Sequence, residues 1–550
     1  MFWTANGNLS YEFAKDLILS TNLGYTNTVL NELKEIYTTS VDPLQALTTP
    51  LRSMFGNNSN ISWIIEPQLN WDKMFDKNHV HILLGGTLQN QVTDMLATNA
   101  YGFISEDQMQ NPGAAPSNDV TVTRNYADYK YSAIFGRINY DWDKKYLLDL
   151  TARRDGSSRF GPDKQFANFG AIGGAWIFSS EDFAKQNLSF LSFGKLRASY
   201  GITGSDQIGN YQYLNDYAIS GQYQDVRGLL PLQLYNPDFQ WEVNKKIAAA
   251  IELGFLKDRI LATISYYRNR SSDQLVGYPL APTTGFSSIE YNLPATVQNT
   301  GTGLELSSIN IKSKNFKWTS NFNLTIPRNK LISFPDLAGS SYANQYVVGQ
   351  PLSIQKSYTV LGVNPKTGLY VIQDVDKNGI YDTNDYSSII NVGQQFYGGL
   401  GNTLSYKNFQ LDFFFQFVKQ NGKNVLNAFG LPGALGNQPV EVLQRWQKPG
   451  DITDIQRFGT TSGQAATTAR YYDFSNENVT DASFIRLKNV AFSYRLPSQF
   501  LKKVDLKGCR IYLQGQNLLT FTKYLGLDPE TQGTALPPLR YITAGLEVNL

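Results

Sequence analysis

The chain has 550 residues, 17% of them charged, with a net charge of +2 and a mean hydropathy of −0.31. That balance leaves no polybasic footprint for nucleic acid, and no apolar run reaches the roughly 18 residues of a membrane helix. One cysteine, Cys509, excludes an internal disulfide, and with only two histidines no nucleophile–base constellation stands out, so an enzyme is not expected.

Met1 is followed by FWTANGNLSYEF, with no basic segment, apolar segment or small-residue cleavage site of an export signal. Period-two alternation and turn residues predict seventeen strands. They lie near 8–14, 17–27, 61–72, 79–95, 131–142, 146–155, 167–178, 191–203, 242–256, 259–275, 299–312, 315–327, 398–407, 409–419, 484–497, 508–521 and 540–550. The connections alternate in length. DWDKK (141–145), LKDR (256–259), KSKN (312–315) and YKNF (406–409) are short, whereas 96–130, 204–241, 328–397 and 420–483 are long. Tight turns at one end and large loops at the other are the architecture of a transmembrane barrel rather than a soluble sandwich.

Several stretches invite a chemical reading. His79 and His81 share one strand face, but no further metal ligand lies near them in sequence, so an ordinary rim pair is expected. Arg153, Asp155 and Arg159 in RRDGSSRFGP read as a loop-bracing ion-pair network rather than a catalytic cluster. Tyr211, Tyr213, Tyr217, Tyr223 and Trp241 sit in or beside the 204–241 loop, where aromatic faces suit stacking on sugars or peptide side chains. The same residue types also form interfacial belts and pack loops.

FKWTSNFNLTI (316–326) puts Phe316, Trp318, Phe322, Leu324 and Ile326 on one face and Lys317, Thr319, Asn321, Asn323 and Thr325 on the other. DVDKNGIYDTND (374–385) places Asp374, Asp376, Asn378, Gly379, Ile380, Asp382 and Asp385 at positions 1, 3, 5, 6, 7, 9 and 12 of a calcium loop. Its last ligand is Asp where a longer bidentate Glu is usual and no flanking helices are evident, so any Ca²⁺ affinity is weak and an Asx-rich surface turn is the plain alternative. Phe409, Leu411, Phe413, Phe415 and Phe417 oppose Gln410, Asp412 and Gln416 in the same manner as 316–326. The greasy faces carry almost no charge, as lipid demands, and the opposite faces suit a wet lumen.

A sheet in lipid must close on itself, and single-chain bacterial barrels have even strand numbers. Seventeen is odd, so the expected fold is the C-terminal portion of a transmembrane antiparallel up-and-down β-barrel, all-β, occupying residues 1–550.

Six stretches together resemble the SusC/RagA-type TonB-dependent transporters of Bacteroidetes outer membranes. They are RRDGSSRFGP (153–162), GKLRASYGITGSDQIGNYQY (194–213), QWEVNKKIAAAIELGFLKDRI (240–260), RWQKPGDI (445–452), ASFIRLKNVAFSYRLP (482–497) and NLLTFTKYLGLDPE (517–530). The resemblance implies a 22-stranded barrel, about 17 strands of it here, with plug, TonB box and signal peptide outside this sequence. It further implies import of a glycan, or of a peptide, powered through TonB and assisted by a SusD-like surface lipoprotein, with no cofactor required. Since the energy-coupling parts lie elsewhere, this chain by itself is expected not to transport. By the same resemblance YITAGLEVNL (541–550) looks like the closing-strand signal read by the barrel assembly machinery, with Tyr541 and Gly545 on one face and a terminal Leu550 where Phe is common. A plug-less porin or adhesin-like barrel and a soluble all-β carbohydrate-binding protein are the alternatives.

Overall fold

Seventeen strands make one antiparallel sheet in a computed structural model that describes residues 1–46, 48–224, 226–424, 430–501 and 506–549, with 220, 222, 223 and 498 described by backbone alone. They are β1 (Phe2–Ala14), β2 (Leu17–Ile36), β3 (Arg52–Phe75), β4 (Asn78–Tyr101), β5 (Val120–Trp142), β6 (Tyr146–Ser157), β7 (Phe166–Trp176), β8 (Leu191–Ser205) and β9 (Glu242–Phe255). The rest are β10 (Ile260–Ser272), β11 (Thr296–Lys312), β12 (Phe316–Ser333), β13 (Phe396–Tyr406), β14 (Phe409–Lys419), β15 (Phe484–Arg495), β16 (Gly508–Thr522) and β17 (Tyr541–Asn549). All seventeen predicted strands are present, so the all-β reading holds. By contact the chain divides into two compact units.

Unit 1 carries β1 to β7, and each strand whose register is defined pairs with the next in the chain. Asp16, Asp76 and Asp143 make its tight turns at φ of 66°, 51° and 53°, a left-handed conformation that a short polar side chain tolerates. The register puts Leu23, Trp63, Ile65, Leu88, Ile134, Ile138 and Leu148 on one face. Rings border that apolar band. Trp142 stacks on Tyr146 at 5.3 Å near the short turns, and Trp3 meets Tyr25 at 5.2 Å farther up. Aromatic rings at both edges of an apolar band are how a barrel strand meets the two lipid–water interfaces.

Unit 2 carries the same ladder from β10 through β17. Phe322 pairs with Leu306 and Leu400, and Phe413 with Asn402 and Val490, so the greasy faces of successive strands stay in line. Opposite them, Asp412 accepts from Thr403 Oγ1 (2.6 Å) and Gln410 Nε2 (2.7 Å), a saturated polar face.

Several strands run well past their predicted ends, and always on the long-loop side. β2 continues to Ile36 rather than 27, and β5 begins at Val120 rather than 131. There both faces meet water, so the alternation that betrays a strand disappears while the backbone ladder continues. Cross-strand charge pairs such as Arg124–Asp94 (2.8 Å) replace apolar contacts.

In β17, Gly545 lies opposite Tyr512, whose ring covers it, and a Cβ added there would come within 2.3 Å of that ring. Tyr541 pairs with Gln516 on the same face, and Leu550 lies outside the described residues. Gly545→Val should therefore cost about 1–3 kcal/mol by overpacking. Gly7→Ala, where a Cβ meets nothing within 4 Å, should be neutral. Urea titration of the heat-modifiable band on cold gels reads both, and equal midpoints for the two variants would refute the packing account.

Candidate functional site

The polar face of unit 1 gathers the two motifs singled out at 153–162 and 194–213. Arg153 and Asp155 both lie on the face opposite the apolar band, as their pairing with Phe135 and Ala133 requires. Arg153 Nε donates to Asp155 (2.8 Å), its Nη2 donates to the Tyr131 hydroxyl (2.7 Å), and Asp155 is buried. Arg159 lies over the Tyr129 ring at 4.2 Å and donates to the Asp206 carbonyl (2.9 Å) and Asn210 Oδ1 (3.2 Å). Asp206 in turn accepts from the Tyr129 (2.8 Å) and Ser157 (2.7 Å) hydroxyls. Every member is satisfied by another member, so the cluster braces the loops, as expected from sequence. The histidines are equally ordinary: His79 Nε2 sits 3.0 Å from Asp72, and His81 Nδ1 3.4 Å from Asn139 Oδ1.

The five loop aromatics part company. Trp241 is buried with Phe160, Phe169 and Phe239, its ring 5.1 Å from Phe160, and its Nε1 donates to Gln165 O (2.9 Å). That corrects the expectation for Trp241, which is a packing residue with no face for solute. Tyr213 packs half-buried against the same cluster, and the Tyr211 hydroxyl accepts from Asp128 N (2.9 Å). Tyr217 is 54% exposed at the start of a two-stranded ribbon, 217–223 with 226–231. The Tyr223 side chain lies outside the described residues.

In unit 2 the long loops build a second core from Tyr358, Tyr370 and Ile372, with Tyr386, Tyr471 and Tyr472 packed around them. Gln456 is fully buried there, donating to Ala465 O (2.7 Å) and accepting from Thr468 Oγ1 (2.7 Å). Beside this core, Asp374, Asp376 and Asp385 each bring a carboxylate oxygen within 4.8 Å of the others. Asp374 Oδ2 accepts from Gly379 N (2.9 Å), while its Oδ1 is buried with no hydrogen-bond partner. Asn378 Oδ1 accepts from Ile380 N (2.6 Å), and Gly379 takes a φ of 77°. Asp382 is set apart, its carboxylate capping a short turn through Asn384 N (2.7 Å). The first, third and twelfth positions of the loop therefore converge, and the ninth does not.

One constellation escaped the sequence reading. Arg486, 1% exposed on β15, donates through Nη2 to Asp528 and through Nη1 to Glu530 (2.6 Å), and through Nε to Thr520 Oγ1 (3.0 Å). It clamps the 523–540 loop against the sheet. The signal was visible in outline: an arginine inside an otherwise alternating strand and two acids in a Gly/Pro-containing loop, both within stretches already singled out.

A family model described as TonB dependent receptor-like, beta-barrel matches residues 2–518. The TonB-dependent receptor P3 of Formosa agariphila is 28% identical over 562 residues, covering 96% of this chain and 54% of its own length. TonB-dependent receptor SusC of Bacteroides thetaiotaomicron is 25% identical over 514 residues, covering 86% and 48%. A solved structure of the RagAB peptide transporter superposes with a TM-score of 0.86 at 24% identity, over 100% of this chain and 61% of that one. The chain spans about half the length of the curated relatives it matches.

Removing one partner of a buried ion pair strands the other, so Arg486→Ala should cost about 3–5 kcal/mol. It should also release 523–540 to limited proteolysis, and an unchanged cleavage pattern would rule the clamp out. A pH effect follows from Asp473, at the C-terminal end of the helix Gln464–Asp473, where burial pushes its carboxyl up to about 6. The folded loop favours the neutral acid, so its stability is greatest below about pH 4, the unfolded value, and is lost as pH rises through 6. Asp473→Asn should flatten that loss and raise loop stability at pH 7, read by hydrogen exchange in 464–478. A wild-type-like pH profile in the variant would contradict it.

Proposed function

The chain belongs to the TonB dependent receptor-like β-barrel family of the outer membrane, and from that membership we propose that it forms the barrel of a SusC-type nutrient importer driven through TonB. One observation carries the reading: in each unit a ladder of consecutive strands has an apolar, ring-bordered face and an amide- and hydroxyl-rich face opposite, with short turns alternating with long self-packed loops. Such a wall suits the passage of a polar solute. Oligosaccharide is the favoured solute class, because the polar faces of β12 to β14 offer mostly neutral hydrogen-bonding groups such as Asn321, Asn323, Thr403 and Gln416. Peptide is the second reading, favoured by the likeness to the RagAB peptide transporter.

A surface partner fits the same reading. The 217–231 ribbon exposes Ile219 (66%), Val226 (70%) and Leu229 (69%), and contiguous exposed apolar side chains mark a protein contact. A SusD-like lipoprotein would cover them, leaving Tyr217 as the loop aromatic best placed to meet solute. The convergent Asp374, Asp376 and Asp385 would hold Ca²⁺ through hard oxygen ligands, with affinity in the weak range of about 10⁻⁴–10⁻³ M typical of extracellular modules.

Deleting the gene should abolish growth on oligosaccharides above porin size while leaving monosaccharide growth intact; loss on oligopeptides alone would move the assignment to the peptide class. Ile219→Ser with Leu229→Ser should weaken lipoprotein co-purification at least tenfold, and undiminished capture would remove the ribbon from the interface. For calcium, terbium luminescence excited through nearby Tyr381 should titrate with Ca²⁺ and vanish in Asp374→Asn. A signal indifferent to that substitution would dismiss the site.

A further inference from the structure

On the apolar face of unit 1, at its loop end, lies a groove of about 370 Å³ floored by Ser132 and walled by Trp63, Leu88 and the Phe166 ring, which packs over Gly156. The register places Trp63, Leu88, Ser132 and Gly156 on the lipid side, in line with Ile65 and Ile134. A Cβ at Gly156 would come within 2.4 Å of the Phe166 ring, so the ring lies on that same side. Two cations border it. Lys130, on the rim, is 67% exposed. Arg154 pairs with Ile134 on the lipid face, lies 5.3 Å from the Phe166 ring and donates to Asn168 Oδ1 (3.1 Å).

A lipid-facing arginine is costly at the bilayer centre and cheap only near an interface. Arg154 stands eight residues along the strand from the lower-row Tyr146. At about 3.4 Å per residue and roughly 40° of tilt this is about 20 Å higher, at the upper edge of a band about 25 Å tall. Lys130 lies higher still. Among the described residues no carboxylate pairs with Arg154. Lys130 shares Asp128 (3.0 Å), which also accepts from Asn90 Nδ2 (2.6 Å). The result is an acyl-sized apolar slot with a cation at the hydrocarbon edge, a second cation at headgroup height, and amides and hydroxyls between them.

We propose that this groove binds a phosphorylated glycolipid of the outer leaflet, of the lipid A type. An acyl chain lies over Ser132, between Trp63 and the Phe166 ring that covers Gly156, one phosphate meets Arg154 and the second Lys130, and sugar hydroxyls meet the Asn90 amide and the Ser158 hydroxyl. A diacyl phospholipid would satisfy the phosphate but offers fewer hydroxyls than two sugar rings to the amide-lined rim. The inference rests on outer-membrane placement and is independent of what the protein imports.

Native mass spectrometry of the purified full-length protein, titrated with bisphosphorylated lipid A, dephosphorylated lipid A or phosphatidylglycerol, tests it. Bisphosphorylated lipid A should add in discrete one-to-one steps, and dephosphorylation or the Arg154→Gln, Lys130→Gln double variant should lower occupancy at least tenfold. Arg154→Lys, which keeps the charge, should retain most of it, and a heat-modifiable band confirms that each variant is folded. Phosphatidylglycerol displacing lipid A on equal terms would reduce the groove to a generic anionic-lipid contact and overturn the proposal. So would equal adduct levels in wild type and folded double variant.

Discussion

Lipid has no hydrogen-bond donors or acceptors, so every backbone amide and carbonyl at membrane depth must find its partner in the protein. Since no helix among the described residues is long and apolar enough to cross a membrane, that demand points to a ladder of paired strands, and the rest follows from it. Consecutive strands pair through tight turns and long loops in alternation, and side chains alternate between a face that must be greasy and a face that must be wet. Charge is confined to the wet face or to the edge of the band, as Arg154 illustrates.

Beyond the lipid the constraint lapses, and the loops must build their own interiors. They do so largely with rings. In unit 1 one core rests on Phe160, Phe239 and Trp241 and another on Phe103, Met109 and Ala100; in unit 2 a core rests on Tyr358, Tyr370 and Ile372. Where a loop returns to the sheet it is held by ionic groups taken out of water. Arg486 with Asp528 is the most buried of these, and in the other unit Arg159, 4.0 Å from the Asp206 carboxylate and partly exposed, bonds the Asp206 carbonyl. Such buried pairs add little net stability against an apolar alternative, but they fix one geometry because breaking them is expensive. A loop fixed in this way presents a defined surface to solute or partner.

The strands were legible because alternation is a local signal: Phe413 and Asp412 are adjacent in sequence and opposite in space. Strand ends above the membrane were not, since residues such as Val120–Lys130 carry polar side chains on both faces. Burial in the loops was also hidden. Trp241 and Tyr217 belong to the same loop region and similar chemistry, yet Trp241 closes a core and Tyr217 stands in water, because contacts from Phe160 and Phe169, far away in sequence, decide between them. The calcium-like spacing was readable residue by residue, but the turning away of Asp382 depends on the cap it forms with Asn384.

The orientation of the sheet is the claim on which the functional reading stands, and two adjacent residues test it most directly. In a Cys509→Ser background, single cysteines at Phe413 and Asp412 would carry an environment-sensitive fluorophore in native-like bilayers. The account predicts that the label at 413 is quenched by brominated lipid and shielded from iodide, and that the label at 412 behaves the opposite way. Iodide quenching at 413 with lipid quenching at 412, or no lipid quenching at either, would contradict the outward greasy face and with it the importer.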